Sequence, residues 1–224
     1  LRRKTPVQEI DLTNSETYSS FVLLRHALSE ANRDGIIQGQ SDYPLAEEGL
    51  QQIDMLIDFW ESQERSFDRI ICSPLTRAKD TALRIAEYLD IDLELDDIWK
   101  ERHHGDAQDI AYSQARQWYS DGHPASPFEP VFASGESDWD LHIRASKAVR
   151  NLVILEPGSY LIVSHGGFLG AVLRAILGIA PSFGRTRPVR FSFKNTGFAE
   201  LRYRHDEARW YFDALNSTTH LKID

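Results

Sequence analysis

The chain has one cysteine and one methionine in 224 residues, and no apolar run approaches the roughly 18 residues of a membrane-spanning helix. Cys72 alone rules out an internal disulfide. Its place in the run RIICS marks a reduced, buried thiol, so a reducing cytoplasm is the expected compartment. Positive charge is also in short supply: 25 Lys and Arg stand against 34 Asp and Glu, a net charge of -9. Nucleic acid and anionic membranes demand a broad positive field, so neither is expected as a partner. Internal repeats and low-complexity tracts are missing too. No Walker lysine motif occurs, and GGFLG at 166–170 lacks the spacing and the distant acidic residue of a dinucleotide site. His103 and His104 are adjacent, so their side chains diverge, and no third ligand follows at helical or turn spacing. No metal and no cofactor are expected.

What is present is an ordinary globular composition, 42% hydrophobic and 26% charged, in a length that suits one good-sized domain. Residues 1–19 are polar and aperiodic and are read as an N-terminal arm; residues 20–224 form the domain. SFVLLR (20–25) is a first strand, and Leu50, Ile53, Leu56, Ile57 and Trp60 then recur at helical spacing over about 46–64. FDRIICS is a second strand, PLTRAKDTALRIAEYL a helix capped by Ser73 with Pro74 in its first turn, and IDLELD a third short strand.

Residues 98–137 break this rhythm with clustered His, Trp and Tyr and three prolines, and are read as an inserted cap with one helix near 107–120. A helix over 138–155, headed by Ser137, the strand SYLIVS and the helix GGFLGAVLRAIL follow. The tail, PVRFSFK, TGFAELRYR and ARWYFDAL with HDEA as a turn, is rich in β-formers. Alternating strands and helices imply an α/β fold: a three-layer α/β/α sandwich on a mostly parallel, doubly wound sheet with an antiparallel edge, plus the small cap.

Two strands end alike. The first runs from four apolar residues into Arg25 and His26; SYLIVS runs into His165, Gly166 and Gly167. RIICS delivers Arg77 in the first turn of the helix after it. Ligands of open parallel sheets bind beyond the carboxyl ends of the strands, so two arginines and two histidines converge where sites form. Arginine forks and helix N-termini together describe an anion site, and so much positive charge suits a phosphoryl group better than a carboxylate.

LLRHALSEANRDGIIQGQSDYPLAEEG, SPLTRAKDTA and VSHGG resemble, in order and spacing, the three motif blocks of the histidine phosphatase superfamily, the phosphoglycerate mutase-like enzymes. The resemblance covers about residues 20–205. It implies that His26 is a nucleophile forming a phosphohistidine, and that Arg25, Arg77 and His165 clamp the phosphoryl oxygens. By the same resemblance Asn32 adds a neutral donor, Gln38, Gly39 and Gly166 contribute to binding substrate, and Glu101 in DDIWKERHHGD is the acid that protonates the leaving alcohol. Asp97 and Asp106 compete with Glu101 for that role. The chain departs from the family pattern at Ala27, where glycine is usual, at Ser29 for threonine and at Ala46, which bears on pocket shape more than on chemistry.

The expected function is metal-independent hydrolysis of small phosphate monoesters, with a small phosphorylated metabolite as partner; a homodimer is admitted but not required. One alternative is phosphoryl transfer of the phosphoglycerate mutase type, against which stand the modest length and the lack of a recognisable long insertion. Another, from a different class, is a phosphate-ligand binding module, which needs neither nucleophile nor acid. Trp99, Lys100, Arg102, His103 and His104 lie next to Glu101, and Trp118, Tyr119, His123 and Phe128 lie in the expected cap, which would offer stacking surfaces and a second anion contact for a nucleotide, cofactor or sugar phosphate.

Overall fold

Strand β1 (Tyr18–Arg25) sits at the middle of the fold because its side chains are apolar on both faces. The computed structural model describes residues 17–115, 126–130, 132, 134–183 and 189–221. In chain order β1 is followed by the short helix α1 (Glu30–Arg33), helix α2 (Glu47–Glu61), strand β2 (Arg69–Cys72), helix α3 (Thr76–Leu89) and strand β3 (Leu93–Leu95). After the excursion come helix α4 (Asp138–Val153), strand β4 (Ser159–Ser164), helix α5 (Gly166–Ile176), and strands β5 (Phe198–Arg204) and β6 (Arg209–Ser217).

The six strands form one sheet in the order β3-β2-β4-β1-β5-β6. β1, β2, β3 and β4 run parallel, while β5 and β6 add antiparallel at one side. Alternation along β1 divides the core in two. Phe21 and Leu23 face α4 and α5 with Leu141, Leu152, Phe168 and Leu169, and Val22 and Leu24 face α2 and α3 with Ile53, Leu56, Trp60 and Ile85. Each such side chain, buried in full, contributes about 1.5–3 kcal/mol before entropy is counted. In register, Arg25 lies opposite Ser164, so β1 and β4 end side by side.

Several expectations need correction. β1 begins at Tyr18, two residues early, because Tyr18 and Ser19 pair with Arg204 and Tyr203 of β5; residues 1–16 of the expected arm lie outside the described residues. Of the expected strand PVRFSFK, Pro188 lies outside the described residues and residues 189–194 carry no ladder; both edges of β5 are already taken by β1 and β6. Phe191 and Phe193 instead pack onto the core from that segment. α3 starts at Thr76, and Ser73 does not cap it: the N-cap is Leu75, and Pro74 lies outside the helix. Ser137, by contrast, caps α4 through a reciprocal capping box with Asp140. Within the excursion, residues 112–115 are helical, 105–107 form a 3-10 turn, and residues 116–125, with Trp118, Tyr119 and His123, lie outside the described residues.

The C-terminal turn carries a buried base. His220 donates from Nε2 to Thr196 Oγ1 (2.9 Å), that hydroxyl being committed as donor to the Asn195 carbonyl, and its ring stacks on Phe198. Its Nδ1 is buried without a partner among the described residues, and burial lowers its pKa to about 4. Between pH 6.5 and about 4 the unfolded chain therefore binds a proton that the folded chain refuses, so stability present above pH 6.5 is lost as the pH falls through that window. His26 and His165, also held well below the ordinary value by burial, act in the same direction. The urea midpoint should drop from pH 7.5 to pH 5, and His220→Phe should narrow that drop.

Candidate active site

The edge where β1, β2 and β4 end is pinned by backbone before any side chain is considered. As β1 leaves the sheet, the His26 N–H donates to the Ser164 carbonyl (2.9 Å) and the Arg25 N–H to the Gly197 carbonyl (3.0 Å). The Ala27 N–H donates to the Thr81 hydroxyl of α3 (3.1 Å) and the Leu28 N–H to Gln52 of α2 (3.0 Å). The turn carrying His26 is therefore fixed from three elements.

His26 is 2% exposed. Its Nδ1 lies 2.7 Å from the Ala27 carbonyl, which only accepts, so Nδ1 carries the ring proton. Arg77 Nε donates to the other nitrogen, Nε2, at 3.3 Å. Both contacts fix one tautomer, with a lone pair on Nε2. Burial, then the charges of Arg77 and Arg25, push the His26 pKa well below its ordinary value, against a smaller opposing effect of the Ala27 carbonyl. The ring is neutral at pH 7 and Nε2 is a ready nucleophile.

Arg77, the second residue of α3, is buried at 1% exposure. One N–H of each terminal nitrogen goes to a carbonyl, Nη1 to Ser41 (2.9 Å) and Nη2 to Gly39 (2.7 Å), which leaves a second N–H on each, and burial lowers its pKa only to about 10, so it stays charged. Arg25 donates to the Phe193 carbonyl (2.7 Å) and to Asn32 Oδ1 (3.2 Å), while its Nε is buried without a partner among the described residues. Asn32 Oδ1 also accepts from Asn195 Nδ2 (3.1 Å), which leaves the Asn32 amide N–H groups as its donors. Gln38 is 6% exposed and accepts from the Ser29 hydroxyl (2.9 Å), so it props α1 as well as lining the cavity.

Residues 38–43 are clasped by the excursion. Asp109 accepts from the hydroxyls of Ser41 (2.9 Å) and Tyr43 (2.8 Å), and its N–H donates to the Ile37 carbonyl (2.8 Å). Gln108 Oε1 accepts from the Gln40 N–H (2.9 Å) and packs against Gly39, whose φ of +52° and close contact leave no room for a side chain. Gln40 Nε2 in turn donates to the Glu101 carbonyl (3.0 Å).

His165 is fully buried, its ring 5.1 Å from that of His26. Its Nε2 is 2.8 Å from the Ser73 hydroxyl, which is the role Ser73 takes in place of a helix cap. Burial, with Arg77, His26 and Arg25 adding to it, holds His165 neutral. Glu101 faces the same cavity, its carboxylate accepting from the backbone N–H groups of Gly167 (2.9 Å) and Arg102 (2.7 Å). A Cβ on Gly167 would come 2.6 Å from Glu101 Oε1, so glycine there lets the carboxylate approach the N-terminus of α5. The two competing acids are elsewhere engaged: Asp97 pairs with Lys100 (3.0 Å) and Asp106 accepts from Ser134 (2.7 Å), and neither lines the cavity.

Arg25, His26, Asn32, Gln38, Gly39, Arg77, Glu101 and Gly166 all line one cavity of about 740 Å3, with His165 behind His26. Asn195 does not line the cavity but braces two residues that do, and no motif in the sequence marks it. Its Nδ2 also donates to the His26 carbonyl (3.1 Å), and its only trace in the sequence is the turn tripeptide NTG.

A model of the histidine phosphatase superfamily (branch 1) matches residues 21–218. The chain is 32% identical over 210 residues to the probable phosphoglycerate mutase GpmB of Photorhabdus laumondii, spanning 89% of this chain and 93% of that protein. It is 32% identical over 183 residues to the uncharacterized phosphatase PhoE of Bacillus subtilis, spanning 81% and 90%. Among solved structures, the phosphoserine phosphatase of Entamoeba histolytica in complex with 3-phosphoglyceric acid is similar at a TM-score of 0.75 and 25% identity, over 91% of this chain and 100% of that one.

Proposed function

The chain belongs to the histidine phosphatase superfamily, branch 1, and from that premise we propose that it hydrolyses small phosphate monoesters through a phosphohistidine at His26, without a metal. The observation that carries this reading is the tautomer: Nδ1–H tied to the Ala27 carbonyl, and an unprotonated Nε2 whose lone pair, among the described residues, accepts only from Arg77 Nε at 3.3 Å. A module that only bound phosphate would gain nothing from a neutral imidazole there, since a third cation beside Arg25 and Arg77 would bind the anion better.

In the first step the Nε2 lone pair attacks phosphorus, and the P–O bond to the alcohol breaks as Glu101, in its acid form, passes a proton to the departing oxygen. The ring now carries phosphorus on Nε2 and a proton on Nδ1, and the Ala27 carbonyl offsets its positive charge. Arg25 and Arg77, with Asn32 as a neutral donor, hold the phosphoryl oxygens while charge spreads over them. In the second step Glu101 takes a proton from water, the water oxygen bonds to phosphorus, and the N–P pair returns to Nε2. Phosphate leaves, and ring and acid are restored.

The test is a turnover quench with a labelled monoester in chelator-treated buffer. Label that survives base, is lost in acid and maps to the peptide carrying His26 supports the reading; release of phosphate with no such label overturns it. A second reading, return of the phosphoryl group to another hydroxyl, is favoured by the relative named as a probable phosphoglycerate mutase. Isomerised phosphoglycerate in excess of free phosphate would support it.

The clasp makes Asp109 a positioning residue, since it holds the loop whose carbonyls aim Arg77 at Nε2. Asp109→Ala should lower kcat on the order of 10-fold to 100-fold, the scale of a small misplacement, with less effect on KM. Asp109→Asn, which keeps one acceptor and tolerates the φ of +66° at this position, should recover part of the loss. As Arg77 drifts, its depression of the His26 pKa weakens, so the acid limb of the kcat profile should move to higher pH. A loss of thermal stability alone, with an unmoved profile, would count against this role.

A further inference from the structure

The cavity is larger than the phosphoryl group placed at its inner end, and its outer end has a chemistry of its own. One face of α5 forms the floor: Gly166, Gly170 and Arg174, each four residues apart, all line the cavity. Arg174 stands about 12 Å along the axis from Gly166. Its Nη1 comes 3.9 Å from where a Cβ on Gly170 would be, so the guanidinium folds back along the floor toward the phosphoryl end. The segment 189–193 forms the opposite wall. Its Phe193 carbonyl holds Arg25, and its Phe191 carbonyl lies 3.2 Å from the Gly170 Cβ position.

Arg190, on that wall, is exposed, lines the cavity and makes no hydrogen bond or ion pair among the described residues. Tyr112 faces it from the excursion, and its hydroxyl likewise has no hydrogen-bond partner among the described residues. Tyr112 thus shares one cavity with Arg25 and Arg77 of the inner end and with Arg190 of the outer wall. Arg102, also on the cavity wall, is neutralised by Asp138 at 2.7 Å. Arg25 and Arg77 already match a phosphoryl dianion, so Arg190 is positive charge in excess of what the inner end needs.

We propose that the alcohol portion of the substrate carries a second anionic group, a carboxylate or a further phosphate, received at the outer end by Arg190, with the Tyr112 hydroxyl on the wall of the same cavity. The inference rests on the phosphatase reading only for which end reacts. A charged acceptor on an unpaired arginine makes the stronger, charge-assisted kind of hydrogen bond, so this contact sets substrate choice. The exposed rings of Phe128 and Phe183, 6.1 Å apart, do not line the cavity, so they offer no seat to the opposing choice of an apolar alcohol.

Calorimetric binding separates these. Straight-chain alkyl phosphonates of two to four carbons are compared with ω-carboxy and ω-phosphono forms of the same length, on the intact protein and on Arg190→Met, Arg190→Lys and Tyr112→Phe. At the best length an anionic end should tighten binding about 10-fold or more over the plain alkyl form; the carboxy and phosphono arms tell which anion is preferred. Arg190→Met should bring that ratio near one and Arg190→Lys should keep part of it; because the ratio is the readout, a general loss of affinity cancels. Plain alkyl phosphonates binding as tightly as the anionic forms, or a ratio unmoved by Arg190→Met, would overturn the proposal. Turnover of p-nitrophenyl phosphate by the unaltered protein, followed alongside, reports separately on the phosphatase reading.

Discussion

Replacing His26 by alanine should abolish turnover, with a fall of about 10^4-fold or more in kcat on p-nitrophenyl phosphate, the scale seen when a nucleophile is removed from a covalent mechanism. The expected cause is chemical and not structural. His26 is neutral, so its loss leaves no orphaned charge, and Arg77 keeps its two carbonyl acceptors at Gly39 and Ser41. What is lost besides the ring is one acceptor for Arg77 Nε and one donor to the Ala27 carbonyl, a cost on the order of 1–3 kcal/mol. The variant should therefore fold and still bind inorganic phosphate through Arg25 and Arg77. The check is threefold: kcat, label on the peptide carrying residue 26, and phosphate affinity by calorimetry. Hydrolysis within 10-fold of the native rate would remove the phosphohistidine from the mechanism. An unfolded variant would be replaced by His26→Asn, whose amide can still donate to the Ala27 carbonyl and accept from Arg77.

Much of this site is legible in the sequence because it is built from abrupt endings. Arg25, His26 and His165 stand where buried strands break off, and Arg77 stands at the head of a helix; such positions follow from local periodicity and from the rule that parallel strands deliver ligands at their carboxyl ends. What is illegible is partnership across the chain. Ser73 reads as a helix cap because serine before Pro-Leu-Thr is a cap by local rules, yet it answers His165, 92 residues away. Asn195 sits in a turn tripeptide that any hairpin could use, and only the fold brings it to His26 and Asn32, 169 and 163 residues earlier. The segment 189–194 has strand-forming residues and no strand, because propensity cannot know that β1 and β6 already occupy both edges of β5. The clasp of Gln108 and Asp109 belongs to the same class: polar residues in an aperiodic stretch, given meaning by a loop some 70 residues upstream.

Glu101→Gln should separate the two halves of the reaction, and the leaving group decides how. The first step needs an acid only when the alcohol leaves poorly; p-nitrophenolate needs none. The second step needs a base to take the proton from water whatever the substrate was. With an alkyl monoester kcat should therefore fall about 10^2–10^4-fold, the range for loss of a positioned acid and base. With p-nitrophenyl phosphate the first step should survive and the second should stall, giving a burst of nitrophenol close to one equivalent and a labelled His26 that persists. The amide keeps one oxygen to accept from the Gly167 or the Arg102 N–H but sets an NH2 against the other, so some displacement of the α5 N-terminus accompanies the chemistry. Glu101→Ala controls for this, since it removes the opposing donor along with the acid and should give the same burst. Equal losses with both leaving groups and no accumulation of label would instead make Glu101 a brace for Gly167, and the proton would have to come from another group on the cavity wall, of which Tyr112 is the nearest in chemistry.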